Sequence, residues 1–206
     1  MNADSIIQSE TQLEALYGKA NPNSLAKEAD CLTKAYQRWI EEAPFMAVAS
    51  VGAAGLDCSP RGDEAGSLFR VLDVSTIAIP DRPGNNRLDT LRNIVTDPRI
   101  ALLFLVPGIK ESLRINGTAV VVTNEALLDS FSRNGKKPVT VLVVTIQSIY
   151  FQCGKALLRS KLWDADAQVS SKNVPTAGEM LKSVMSDFDS TAYDESLAKR
   201  QPGSLY

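Results

Sequence analysis

Ile79-Pro80-Asp81-Arg82-Pro83-Gly84-Asn85-Asn86-Arg87 is the stretch on which the reading of this chain turns. A β-rich segment runs into a Pro/Gly/Asn loop carrying two arginines, and the loop opens into a short amphipathic helix. Backbone N–H groups, a helix N-terminus and guanidinium groups gathered at one place are what a phosphate needs. The N-terminus favours an anion by about 0.3–1 kcal/mol, and a charged hydrogen bond adds about 1.5–3 kcal/mol where water is excluded. Two arginines with one N-terminus are then enough for micromolar anchoring of a phosphate. Asn86 is the expected helix cap, with Arg87 reaching over the first turn. The competing reading of Arg82, Asn85, Asn86 and Arg87 is a capped helix start open to solvent.

Downstream, Leu88, Leu91, Ile94 and Val95 share one helical face until Thr96-Asp97-Pro98, where proline disfavours helical geometry in the residue before it. Residues 100–106 form a continuous apolar run and predict a buried strand. Pro107-Gly108 turns the chain into a strand over residues 111–123. Asn124 caps a helix over residues 125–131, residues 133–138 form a polar loop, and the β-branched residues 139–153 predict the longest strand. A helical turn at 155–158, a polar loop over 164–178, a helix over 179–188 and a mobile tail after Ser190 complete the chain.

Upstream, residues 67–72 and 75–79 read as two short strands split at Asp73. Residues 45–51 form another strand, turned by Gly52-Ala53-Ala54-Gly55 into a returning strand over 56–59. One helix starts at Asn21-Pro22-Asn23-Ser24, places Leu25, Ala29, Leu32, Tyr36, Trp39 and Ile40 at helical spacing, and runs to about Glu42 before Pro44. Residues 1–23 are expected to be a loosely ordered arm, with one helical turn from Leu13 to Tyr17 before Gly18. Six or seven strands joined mostly by turns predict an antiparallel barrel or sandwich with peripheral helices rather than a doubly wound sheet.

With 206 residues, 44% apolar and 22% charged, the chain suits one domain with a full core. Its net charge of −2 supplies no global field for nucleic acid or an anionic membrane. No apolar run reaches the roughly 20 residues of a membrane-spanning helix. Met1-Asn2-Ala3-Asp4 does not resemble a signal peptide, so a cytoplasmic location is expected. Cys31, Cys58 and Cys153 are odd in number and widely spaced, as free thiols would be. The chain contains no histidine, which excludes a Ser-His-Asp or Cys-His relay, a His-ligated zinc site and an imidazole base. No metal site is expected, and a cofactor should carry any chemistry.

Ser59-Pro60-Arg61-Gly62-Asp63 follows a short strand. It is either a surface turn with a local Arg/Asp pair, or a second anion contact in which Gly62 leaves Arg61 unobstructed and Asp63 orients Arg61 or accepts a ligand N–H. Arg92, Arg99 and Arg114 read as ordinary, Arg114 with a neighbouring carboxylate as partner. Lys155, Arg159 and Trp163 fall at i, i+4 and i+8, on one face if the helical turn continues. That face either meets an electron-rich aromatic ligand or ends the barrel with Trp163 closing the core. Cys153, without a histidine partner, reads as inert.

The order of these segments resembles the pyridoxamine 5′-phosphate oxidase-like family of FMN-binding split-barrel proteins. The resemblance rests on Ser59-Pro60-Arg61-Gly62-Asp63, on the stretch from Ile79 to Arg87 and on Asn93-Ile94-Val95-Thr96-Asp97-Pro98-Arg99-Ile100. Leu113-Arg114-Ile115-Asn116-Gly117-Thr118-Ala119, with its central glycine, and Lys155-Ala156-Leu157-Leu158-Arg159-Ser160-Lys161-Leu162-Trp163 extend it. It covers roughly residues 35–165. It implies a six-stranded antiparallel split β-barrel over residues 24–165, between the arm of residues 1–23 and a C-terminal extension, residues 166–206, packed on the barrel or on a partner subunit. It also implies a homodimer with FMN at the subunit interface. By that resemblance Arg61 and Arg87 hold the FMN phosphate with Asn86 beside it, and Arg82 and Asn85 at the helix entrance count among the cofactor-binding residues. The backbone at Gly62, Asp63, Pro80 and Asp81 lines the flavin, and Lys155, Arg159 and Trp163 approach from the barrel end, across the dimer.

The oxidase proper ends in an Arg-x-His segment that contacts its vitamin substrate, and this chain has no histidine. The expected function is therefore an FMN-dependent oxidoreductase of another substrate, with NAD(P)H or a small molecule as its partner. The alternatives are a non-catalytic flavin-binding or sensing protein, or a split barrel holding a deazaflavin or haem. Haem lacks its usual axial histidine here.

Overall fold

Alternation of inward and outward side chains along residues 45–152 builds a single antiparallel sheet. The computed structural model describes residues 5–205, so the reading of Met1-Asn2-Ala3-Asp4 lies outside the described residues. The strands are β1 (Phe45–Gly52), β2 (Gly55–Gly62), β3 (Arg70–Asp73), β4 (Thr76–Asp81), β5 (Arg99–Leu105), β6 (Ser112–Val122) and β7 (Thr140–Gln152). Their order in the sheet is β2-β1-β5-β6-β7-β4-β3. In β1 the buried positions are Met46, Val48 and Ser50, and in β5 they are Ile100, Leu102 and Phe104, as period-two strands with one face inward require. The apolar ones join Ile77, Ile79, Leu113, Ile115 and Val144 in one core. At its centre Phe69 meets Phe104 edge to face, ring centroids 5.4 Å apart.

The sheet curls on itself. β2 stands first in the order and β4 sixth, yet Arg61 of β2 and Asp81 of β4 lie 3.3 Å apart. No ladder joins the two strands among the described residues, so the barrel stays split there. Proline accounts for part of this: Pro60 in β2 and Pro80 in β4 each remove an N–H from the walls of the gap. The split barrel thus has seven strands rather than six, because the short hairpin β3–β4 adds an edge strand to the expected set.

The helices are α1 (Glu10–Tyr17), α2 (Pro22–Ala26), α3 (Lys34–Glu41), α4 (Asp89–Thr96), α5 (Glu125–Ser130), α6 (Lys155–Ser160), α7 (Ala177–Val184) and α8 (Ser190–Arg200). α4 is set by its packing on β1. Asn93 is buried and donates from Nδ2 to Ser50 Oγ at 3.2 Å, and a Cβ at Gly52 would collide with the Asn93 side chain. After α4, Arg99 folds back on Asp97 and its hydrogen bonds hold that carboxyl down to about 2.

Three expectations for the helices are corrected. The single helix to Glu42 is two, α2 and α3, because residues between them bond to the sheet instead. Ala29 pairs with Ile149, and the Leu32 N–H donates to Val74 at 2.7 Å. Thr33 then caps α3 by accepting from the Tyr36 N–H. The arm holds more than one turn, since Ser9 caps a two-turn helix that ends at Gly18. The segment after Ser190 is helix α8, capped by Asp189 and tied to α7 through Asp194, which accepts from the Gly178 N–H at 2.8 Å and the Thr176 hydroxyl at 2.5 Å. All three cysteines are unpaired thiols.

Gly117 carries a testable consequence. The β6–β7 register shifts between Asn116 and Gly117, where a bulge brings the Thr145 carbonyl so close that a Cβ at 117 would overlap it. Gly117→Ala is expected to lower the unfolding free energy by about 1–3 kcal/mol, read from the urea midpoint at unchanged slope. An unaltered midpoint would mean that the bulge relaxes freely.

Candidate functional site

A cavity of about 850 Å³ occupies the split between β2 and β4, within the range of small-molecule sites. The loop from Arg82 to Leu88 and the first turn of α4 close one end. Period two puts Asp57, Ser59 and Arg61 on one face of β2, while Leu56, Cys58 and Pro60 face away. Ser59-Pro60-Arg61-Gly62 therefore lies inside a strand rather than after one, a correction to the sequence reading. The strand continues because β1 supplies partners as far as Phe45↔Gly62.

The inward face of β2 carries a directed chain of hydrogen bonds. Thr90 of α4, 4% exposed, donates its hydroxyl proton to Asp57 at 2.6 Å. Ser59 Oγ lies 2.9 Å from Thr90 Oγ1 and accepts from Arg61 Nη1 at 2.9 Å. With the Thr90 proton committed to Asp57, the direction is fixed: Arg61 to Ser59, Ser59 to Thr90, Thr90 to Asp57. The other edge of the Arg61 guanidinium donates to Asp81 across the split at 3.3 Å. Burial pushes the Asp81 carboxyl above the ordinary carboxylate range, and Arg61 pulls it back only in part.

A second brace closes the split beside the first. The Asp63 side chain, 4% exposed, accepts from Arg133 at 2.8 Å and from Arg82 at 3.4 Å, and Arg133 also pairs with Glu64. Asp63 thus anchors two arginines from different loops. Arg133 is placed by the tight turn through Asn134 and Gly135, both at positive φ, with reciprocal 2.8 Å backbone bonds between Arg133 and Lys136.

The loop into α4 differs from the expected cap. Asn85, not Asn86, makes the local side-chain bond, its Oδ1 accepting from the Arg87 N–H at 3.0 Å. Asn86 and Leu88 both adopt left-handed backbone, at φ 58° and 59°. Leu88 sits at the N-cap position with no side chain capping the helix. Asparagine tolerates that geometry, whereas for leucine it costs about 1–2 kcal/mol. Arg87 lies at the rim, largely exposed, and pairs with Asp89 at 2.7 Å.

Arg61, Gly62, Asp63, Pro80, Asp81, Arg82, Asn85, Asn86 and Arg87 all line this cavity. Lys155, Arg159 and Trp163 do not. Nor do those three continue one helical face, because Lys161 turns left-handed at φ 52° and ends α6, and Trp163 donates its indole N–H to Ile109 at 2.8 Å. Arg114 also departs from expectation, lying over the Tyr150 ring at 5.3 Å.

Asp57, Thr90, Thr140 and Arg133 escape sequence reasoning. The alternation Asp57-x-Ser59-x-Arg61 and the turn dipeptide Asn134-Gly135 were the available signals for the first and last. Nothing local marks Thr140. It lines the cavity, and its Oγ1 is buried without a hydrogen-bond partner among the described residues. Such an orphan is rare in a folded protein and fits a site completed by a ligand atom.

A family model described as pyridoxamine 5′-phosphate oxidase matches residues 32–153, more than half of the chain. No curated protein matches the sequence. Among solved structures, HupZ of Group A Streptococcus is 20% identical, covering 58% of this chain and 98% of its own, with a TM-score of 0.48. General stress protein 26 of Bacillus anthracis is 14% identical, covering 56% and 88%, with a TM-score of 0.42. An FAD binding protein of Mycobacterium smegmatis is 13% identical, covering 60% and 97%, with a TM-score of 0.41.

Proposed function

The chain belongs to the pyridoxamine 5′-phosphate oxidase family, and from that premise we propose that it is a flavin-dependent oxidoreductase holding FMN in the split between β2 and β4. The observation that carries the reading is a cavity of ligand size that presents Arg61 and Arg87 and is lined by Thr140, whose hydroxyl is buried and unpartnered among the described residues. A flavin ring edge offers the N–H and carbonyl groups that such a hydroxyl lacks. Arg61 and Arg87 would take the phosphate, with Asn86 and the uncapped start of α4 beside them. Pro80 and Asp81 would line the ring.

When bound, FMN accepts a hydride at its own ring, which suits a chain without histidine. The protein's part is to bind, orient and exclude water. The hydrogen-bond chain through Ser59 and Thr90 fixes the Arg61 guanidinium before the ligand arrives, so less side-chain freedom is lost on binding.

The proposal includes a homodimer. The end of β7 and α6 carries Lys155 and Arg159 away from this cavity, next to the exposed apolar residues Phe151, Leu158 and Leu162. A patch of that kind fits a surface covered by a second copy.

Equilibrium dialysis against FMN, with mass identification of any chromophore released from the purified protein, tests the reading. Failure to retain FMN overturns it. Thr140→Val gives a sharper result. The free protein should keep its stability or gain up to about 1 kcal/mol, because the change deletes an unsatisfied hydroxyl. FMN should bind about 3- to 10-fold more weakly. Unchanged affinity would remove Thr140 from the site.

A further inference from the structure

A second cavity of about 600 Å³ adjoins the first and shares Arg82, Pro83, Gly84, Asn85 and Leu205 with it. Its electrostatics differ. The first cavity mixes arginines with Asp57, Asp63, Asp81 and Asp89, whereas the second is lined by Arg82, Lys136, Lys137 and Arg200 and by no aspartate or glutamate among the described residues. Three separate parts of the chain deliver these cations to one place in a protein of net charge −2. The Asn134-Gly135 turn sets Lys136, the loop after β4 sets Arg82, and the end of α8 sets Arg200.

The cations are not equally available. Lys137 also pairs with Glu125 at 3.2 Å and Asp129 at 2.5 Å, and Arg82 braces Asp63. Arg200 pairs with no carboxylate among the described residues. Its guanidinium lies over the Tyr193 ring, 5.6 Å from the centroid, an interaction that steadies its plane without using its N–H donors. Arg200 and the residues after it fall outside the part of the chain that the family model matches, so family membership does not account for this wall.

Position gives the cavity its meaning. It opens on the loop carrying Arg82 and Asn85, the end of the first cavity that would hold a phosphate, rather than on the wall that would face a ring. We propose that this second cavity is a further phosphate subsite, so that the split, besides holding FMN by its single phosphate ester, accepts a molecule that carries a pyrophosphate, as dinucleotides do. The proposal deepens the flavin reading and rests on it for the orientation of the ligand. The subsite itself recognises charge density on adjacent phosphates, chemistry shared by a flavin dinucleotide and a nicotinamide dinucleotide.

Calorimetric titration of the full chain with inorganic pyrophosphate, FMN, FAD and NADPH tests it, using the wild type, Arg200→Ala, Lys136→Ala and Arg200→Lys. Pyrophosphate should bind the wild type. Arg200→Ala should weaken pyrophosphate and the preferred dinucleotide about tenfold, and FMN by less than about twofold. Lys136→Ala should weaken pyrophosphate in the same selective way, and Arg200→Lys should recover part of the loss, which separates a charge effect from misfolding. Tighter binding of FAD or of NADPH identifies the source of the phosphates, and either supports the subsite. Absence of pyrophosphate binding to the wild type, or equal weakening of FMN and pyrophosphate in Arg200→Ala, overturns it. Retained pyrophosphate binding without FMN binding would sink the flavin reading and leave the subsite standing.

Discussion

Arg61→Ala is expected to weaken FMN binding about 10- to 100-fold, the loss of one or two charged hydrogen bonds inside a partly enclosed cavity. Of the two arginines assigned to the phosphate, Arg61 is the one that the fold holds more firmly. Its side chain is 22% exposed, against 76% for Arg87. Its two edges are committed to Ser59 on β2 and to Asp81 on β4. Arg87→Ala should therefore have the smaller effect of the two. The exchange of Asp81 for a ligand phosphate as the partner of Arg61 gives binding a pH dependence of known sign. Burial already raises the Asp81 carboxyl, and an arriving anion raises it further. Binding then takes up a proton, so affinity should rise as pH falls towards the Asp81 titration. The phosphate itself titrates near pH 6, so the wild type is compared with Asp81→Asn, in which the protein's share of the dependence should vanish. Identical pH profiles in the two would show that Asp81 stays ionised beside the ligand.

The same bridge has a stability side. A carboxyl whose folded-state value is raised contributes stability below its unfolded value and loses it as pH rises through the folded value. Asp81 taken alone thus favours the acid side, and Arg61 is what keeps its charge tolerable at neutral pH. Removing Arg61 leaves Asp81 half-buried without that partner, an expected cost of about 1–3 kcal/mol.

Phe104→Ala is expected to lower the unfolding free energy by about 3–5 kcal/mol, a large share of the total stability of an ordinary domain. Phe104 is fully buried on β5, an interior strand of the sheet. Its ring packs edge to face on Phe69, in the segment between β2 and β3. The substitution therefore removes core contacts and also loosens the segment leading into the β3–β4 hairpin. Thermal and urea unfolding should both report the loss, and FMN retention should fall in the folded variant because Asp81 and Arg82 follow that hairpin. A loss below about 1 kcal/mol would mean that neighbouring side chains collapse into the space.

Much of this was legible without coordinates, in particular places and for particular reasons. The β-branched run of residues 139–153 gave β7 almost to its ends, and Asn124 marked the start of α5, because both signals act within a few residues. The loop of residues 79–87 pointed to the cavity because Pro, Gly and Asn with two arginines restrict the chain locally. Periodicity misread residues 27–33, where Ala29 and Leu32 fit a helical stripe but find hydrogen bonds on β7 and beside β4. It also missed α8, which depends on Asp194 reaching back to α7.

By itself, then, the sequence determined where the longer strands β6 and β7 run, which loop gathers the arginines and that no imidazole serves the site, since each of these is a property of neighbours along the chain. Only the tertiary structure decided that Arg61 meets Asp81, that Arg133 meets Asp63, and that Thr90 joins Asp57 to Ser59. Those partners lie 20 to 70 residues apart. They are brought together by the curl of a seven-stranded sheet whose first and sixth strands approach without pairing, and no local pattern encodes that closure.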